Sequence, residues 1–180
     1  MSAIRILYIP VGRKNFHMET ASRYFQSSVN YLKQLSAPII CPADILYDPA
    51  EVAEFLNAQL AQGPADLVIM QCTTFTDNRF VTEVLERTTC PIFIWGVAEP
   101  SIDGERLKLN SLTGFLGLSN AICHFGRDFD VAYGAPGDAD ITRALEEQIK
   151  AVSVIKALKN ARLGVIGTLP PGFTLSDVDV

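Results

Sequence analysis

Short apolar runs alternate with stretches in which apolar residues return every third or fourth position, and the alternation repeats five times along the chain. Ile4 to Val11 (IRILYIPV) reads as a strand, and Met18, Ala21, Phe25, Val29, Leu32 and Leu35 then trace one face of a helix. Pro38 to Cys41 is a short second strand. Asp48-Pro49 places an N-cap before a proline at the first helical position, and Val52, Phe55, Leu56 and Leu60 form the stripe of a helix that reaches Gly63. Asp66 to Gln71 (DLVIMQ) is the third strand and Asn78 to Arg87 a short helix. Pro91 to Gly96 (PIFIWG) and Phe129 to Gly134 (FDVAYG) are strands four and five, separated by a helix over 110–125 whose Gly114 and Gly117 suit close packing. Asp140 is the expected cap of a last helix, with Ile141, Leu145, Ile149, Val152 and Ile155 inward and an end near Asn160.

Strand and helix in strict alternation, joined by short turns, predict an α/β fold: an open, doubly wound parallel sheet with helices on both faces. Arg162 to Gly167 (RLGVIG) reads as one further buried strand and Pro170 to Phe173 as the turn after it. A parallel strand needs a covering crossover, so the pattern predicts one α/β domain over 1–160 and, over 161–180, the first strand and turn of a second domain.

Composition narrows the function classes. A chain of 180 residues buries roughly 70% of its unfolded surface on folding, enough for a self-sufficient core. The net charge is −5, and the 15 Lys and Arg are scattered without a basic run, so no footprint for nucleic acid is visible. Apolar runs stay well below the roughly 20 residues of a membrane span, and the N-terminus lacks a small-residue cleavage site, which predicts a cytoplasmic protein without a membrane partner. Cys41, Cys72, Cys90 and Cys123 show no CxxC spacing and read as reduced thiols, with only Cys72 placed at a strand end. Two histidines leave little material for a metal site, and no group of Glu, Asp and His has ligand spacing.

In a doubly wound sheet ligands lie beyond the carboxyl ends of the strands, at the point where strand order reverses. The loops to examine are therefore Gly12 to His17, Cys72 to Asn78 and Val97 to Asn110. Arg13 stands where a guanidinium could fork onto carboxylate, phosphate or sugar hydroxyls, or simply be solvated beside Lys14. His17 and His124 lack placed partners and read as capping or helix-end residues. Thr73 and Phe75 are candidates to face a ligand near a helix N-terminus, while Asp77 or Thr76 caps that helix. Trp95 reads as core. There is no GxGxxG after strand one, no GxxxxGK[ST], no GxSxG and no acidic receiver pattern, which removes dinucleotide, P-loop, nucleophile-elbow and phosphoacceptor chemistry.

Taken together, GRKNFHME, DLVIMQCTTFTDNRFV, PIFIWG, LKLNSLTGFLGLSNAICHFGRDFDVAYGAPGD and RLGVIGTLPPGF, in that order, resemble the N-terminal part of the L-fucose and L-arabinose isomerase family. The resemblance covers the whole chain and is specific as an ordered set, each block being only a strand with its turn. It implies a flavodoxin-like domain of an enzyme that interconverts aldose and ketose through an ene-diol, with a divalent cation, usually manganese, and proton-moving carboxylates in the C-terminal half. This chain supplies neither, so alone it is expected to be inactive and to carry no cofactor or metal. By resemblance, Arg13 matches a basic residue that reaches a monosaccharide across a subunit interface in a homo-oligomer. Thr73 falls in the wall-forming loop, at a position that is aromatic in some family members, with Phe75 two residues on. Asn110 and Ser111 also match a motif position, as substrate contact or helix cap. The other readings are a free-standing flavodoxin-like small-molecule binding module and a structural oligomerisation domain.

Overall fold

The computed structural model describes residues 4–104, 106–162, 164 and 167. Half of the strand expected at 162–167, the turn at 170–173 and most of the second domain expected over 161–180 fall outside the described residues.

Five parallel strands, β1 (Ile6–Val11), β2 (Ile39–Ile40), β3 (Leu67–Cys72), β4 (Ile92–Gly96) and β5 (Phe129–Tyr133), lie in the order β2-β1-β3-β4-β5. The helices α1 (Met18–Leu32), α2 (Pro49–Leu60), α3 (Asn78–Arg87), α4 (Ser111–His124) and α5 (Ala139–Lys159) follow one strand each. Alternate residues of the central strands feed two cores. Ile6 and Tyr8 of β1, with Ile69 and Trp95, pack against α1 and α5. Leu7, Ile9 and Val11, with Met70 and Ile94, pack against α2, α3 and α4. The α/β doubly wound fold predicted from the alternation is the observed one. Chain order runs from β1 outward to β2, then returns to β3 on the other side of β1, so the reversal lies between β1 and β3.

Where element ends differ from expectation, local chemistry accounts for it. β2 has two residues, not four, because Pro42 has no N–H to offer the ladder; pairing with β1 resumes as a single bridge between Val11 and Leu46. α1 closes at Leu32, and tighter bonds from Gln34 N to Tyr31 O and Leu35 N to Leu32 O carry Leu35 onto the core. Asp48 caps α2 in a full capping box with Glu51. Asp140 does not cap α5: the turn at Gly137 (φ 89°) brings the chain into the helix earlier, with Asp138 at the N-cap, and Asp140 pairs with Arg143 instead. Gly114 meets the expected need for close approach, since a Cβ there would lie 2.6 Å from the Thr76 backbone N; at Gly117 the nearest atom would be 3.5 Å away, an ordinary contact.

The centre of the sheet holds a buried polar chain. Tyr8 donates its hydroxyl to Gln71 Oε1 (2.5 Å), and Gln71 Nε2 donates to Ser28 Oγ on α1 (2.9 Å). Burial pushes the Tyr8 hydroxyl well above its usual ionisation range, so it stays a neutral donor. Tyr8→Phe removes the donor to Gln71 Oε1, and we expect a loss of about 1–3 kcal/mol, the cost of an unpaired buried acceptor. Urea denaturation checks this, as a lower midpoint at unchanged slope.

Candidate functional site

Loops following β1, β3 and β4 meet at the carboxyl end of the sheet, over the point where strand order reverses. Residues 12 to 17 and 73 to 77 are locked first. Thr73 donates both its backbone N (2.9 Å) and its hydroxyl (2.7 Å) to Val11 O, while Arg13 N donates to Thr74 Oγ1 (2.7 Å). Only glycine fits between them, because a Cβ on Gly12 would stand 2.7 Å from Thr73 Oγ1 and 2.9 Å from Thr74 Oγ1. Residues 108–110 then join both loops: Lys108 O accepts from His17 N (3.0 Å) and Leu109 O accepts from Phe75 N (2.8 Å).

Glu99 holds that joining segment in place. Its carboxylate accepts from Lys108 N (2.7 Å), from Leu109 N (3.1 and 3.2 Å) and from Asn110 N (2.9 Å). Asn110 is the N-cap of α4 in the left-handed region (φ 50°, ψ 32°) and gives the helix no side-chain cap; its Oδ1 accepts from Thr113 Oγ1 (2.7 Å). The negative charge at this helix start thus comes from Glu99, where the positive end of the helix dipole favours it. Ser111, the first residue of α4, is buried; its Oγ donates to Cys72 O (2.6 Å) and accepts from Val97 N (2.9 Å), tying β3 to the chain just beyond β4.

Of the residues singled out from sequence, Arg13 and Phe75 reach the surface of this end. Arg13 pairs with Asp77, and its side chain stays 33% exposed. Its Nε is buried and has no hydrogen-bond partner among the described residues. Asp77 also caps α3 through Arg79 N (3.0 Å) and takes the Arg79 guanidinium on both oxygens (3.1 and 3.0 Å). Phe75 is half-buried, with its ring 6.0 Å from that of Phe16, over which the Arg106 guanidinium sits at 5.9 Å. Thr73 does not face a ligand: it is fully buried, and its hydroxyl is committed to Val11 O. Its part is to hold the Arg13 loop. His17 caps α1, accepting from Thr20 N on Nδ1 (3.3 Å), and His124 is exposed in the last turn of α4. Trp95 is core, its indole donating to Gly134 O (3.1 Å).

Two shallow depressions open here. One of about 500 Å³ is bounded by Arg13, Lys14, Asn15, Tyr47, Asp48 and Glu51; one of about 240 Å³ lies between Asn15, Phe16, His17 and residues 106–108. The acidic groups bounding the first are already engaged, since Asp48 and Glu51 make the α2 capping box; beside the second, Glu99 is likewise committed to residues 108–110. Cys72 is no nucleophile either, since burial pushes its thiol up to about 12, so the thiolate is scarce at neutral pH. What remains on offer at this end is guanidinium, aromatic ring and amide. Among the described residues no three His, Cys, Asp or Glu side chains gather as metal ligands, so the divalent cation implied by the family resemblance finds no donor set in them.

No family model matches the sequence. Curated relatives do. The chain is 37% identical over 176 residues to the sulfoquinovose isomerase of Priestia megaterium (strain ATCC 12872 / QMB1551), with the same figure for that of Priestia aryabhattai. It is 34% identical over 174 residues to the sulfoquinovose isomerase of Clostridium sp. (strain MSTE9). The chain resembles part of a sugar isomerase. These matches take in 98% and 96% of the chain but only 39% and 38% of the Priestia and Clostridium proteins' length. The sugar-isomerase likeness read from the ordered blocks is thereby supported; the named relatives act on sulfoquinovose, whereas the sequence resemblance pointed to L-fucose and L-arabinose.

Sequence reasoning missed Glu99 and gave Asp77 only its capping role. The available signal for Glu99 was a helix start at Asn110-Ser111 with no acid in its first turn. Two outcomes are expected. Glu99→Ala should free residues 108–110, raising amide hydrogen exchange there and at His17 and Phe75, whose N–H groups depend on that segment. With a thiol reagent at pH 8, exposed Cys123 should react at once, while Cys72 stays silent until the protein is unfolded.

Proposed function

We propose that this chain is the substrate-recognition part of an aldose–ketose isomerase acting on a sulfonated sugar, the proton-moving carboxylates and divalent cation lying in the length of the relatives that it does not span. The observation that carries the reading is similarity to sulfoquinovose isomerases over 98% of the chain. The site's chemistry agrees in kind. A guanidinium and a pair of phenyl rings at the reversal of strand order suit a polar sugar that carries a fixed charge.

In this reading Arg13 contacts substrate, Phe75 with Phe16 forms an apolar wall, and Asn110 holds the start of α4 beside it. Thr73 acts from behind by fixing the Arg13 loop. Depressions this shallow enclose a monosaccharide only when another surface closes over them, which favours the homo-oligomer, with a neighbouring subunit sharing each pocket, that the family resemblance implies.

The test is an isomerisation assay with manganese on the full-length protein and on residues 1–180, offering sulfoquinovose, L-fucose, L-arabinose and glucose. Turnover of sulfoquinovose by the long protein, and of nothing by the short one, is expected. Turnover by residues 1–180 alone would overturn the division of labour. A long protein that converts L-fucose or L-arabinose and leaves sulfoquinovose untouched would return the substrate to the class first read from the sequence.

A further inference from the structure

We propose that Arg13 and Arg79, gathered on Asp77 at the reversal between β1 and β3, form the receptor for the acidic group of the substrate, a sulfonate. The inference rests on the sulfonated-sugar reading and adds to it a second residue and a defined ligand group.

The first ground is a charge count. Two guanidiniums share one carboxylate: Arg79 contacts both Asp77 oxygens, and Arg13 shares Oδ2 with it. One positive charge is therefore left over. The other carboxylates near Arg13, Asp48 and Glu51, are committed to the α2 capping box through Ala50 N, Tyr47 N and Asp48 N. Neither is bound to Arg13. The surplus sits at the start of α3, whose dipole adds to it.

The second ground is a donor count. Asp77 Oδ1 accepts from Arg79 N and Nε, and Oδ2 from the two guanidinium ends, which fills the roughly four lone-pair sites of a carboxylate. Asp77 has no room for more N–H groups. Arg13 brings five donors, and Asp77 takes one end of its fork. Its Nε is buried and has no hydrogen-bond partner among the described residues, an expensive arrangement that leaves the Arg13 fork incompletely satisfied by them. The third ground is position. Arg13 follows β1 and Asp77 and Arg79 follow β3, so the cluster straddles the site where doubly wound sheets place ligands.

A sulfonate fits this arrangement. Its three oxygens accept forked N–H donors, and it is fully ionised across the physiological range. Phosphate shares that geometry, so the experiment must separate the two.

Michaelis constants of the full-length protein and of Arg13→Gln and Arg79→Gln would be measured for sulfoquinovose, with calorimetric titration of sulfoquinovose, glucose 6-phosphate and glucose alongside. We expect each substitution to raise KM for sulfoquinovose about ten- to hundredfold, the effect of losing a charged hydrogen bond, with kcat within about twofold. Glucose binding should not change. Arg79 is 70% exposed, so its variant should fold even if that of Arg13 does not. Unchanged sulfoquinovose constants in Arg79→Gln, or equal losses for sulfoquinovose and glucose, would overturn the receptor while leaving the proposed reaction standing. Tighter arginine-dependent binding of glucose 6-phosphate than of sulfoquinovose would overturn the sulfonate. Arginine-dependent sulfoquinovose binding without turnover would keep the receptor and remove the reaction.

Discussion

Three backbone N–H groups on one carboxylate govern the carboxyl end of this sheet. Glu99 stands just after β4 and holds Lys108, Leu109 and Asn110, nine to eleven residues later. A charge-assisted bond of this kind is roughly twice as strong as a neutral one, and here several converge on one side chain. Because the captured segment offers its own carbonyls to His17 and Phe75, the loops after β1 and β3 inherit their positions from it. Gly114 completes the lock by letting α4 come down onto the Thr76 backbone. The surface proposed for recognition has its backbone cross-linked from three sides, independently of how deeply its side chains are buried.

Most of the fold could be read from periodicity, for physical reasons that can be named. A short continuous apolar run such as LVIMQC, set between helical patterns, suits a central strand of a parallel sheet, and the Asp48-Pro49 pair announces α2 through chemistry confined to four residues. Misjudged ends were those decided by neighbours distant in sequence or by a single turn: Pro42 cutting β2 short, Gly137 starting α5 early. The site was half legible. Arg13 and Phe75 are visible because loops after β1 and β3 must border the reversal of strand order. Thr73 misled, since a threonine at a strand end looks available until its hydroxyl is seen to bind Val11 O, 62 residues away in sequence. For Glu99 the one sequence cue was the acid missing from the first turn of α4, for its partners are backbone groups that carry no signature of their own.

The proposed division of labour agrees with which polar groups are already occupied. Asp48, Glu51, Asp77 and Glu99 all serve helix starts or backbone N–H groups, and Cys72 is a neutral thiol under the sheet end. Proton transfer needs a group free to change its charge, and each of these would release structure by doing so. Cations, rings and amides are what the surface has to spare, and those hold a ligand without altering it.

The strand register has a consequence for how the chain is made. β1 pairs residue for residue with β3, Ile6 opposite Leu67 and Val11 opposite Cys72, and both of its faces end up fully buried. During synthesis at roughly 5–20 residues per second, some sixty residues separate the emergence of β1 from that of its main partner, an interval of several seconds. Until then six consecutive residues that end up buried have only the two-residue β2 to pair with. β1 is thus a segment that needs shelter at the ribosome, and its pairing with β3 waits for the arrival of residue 72.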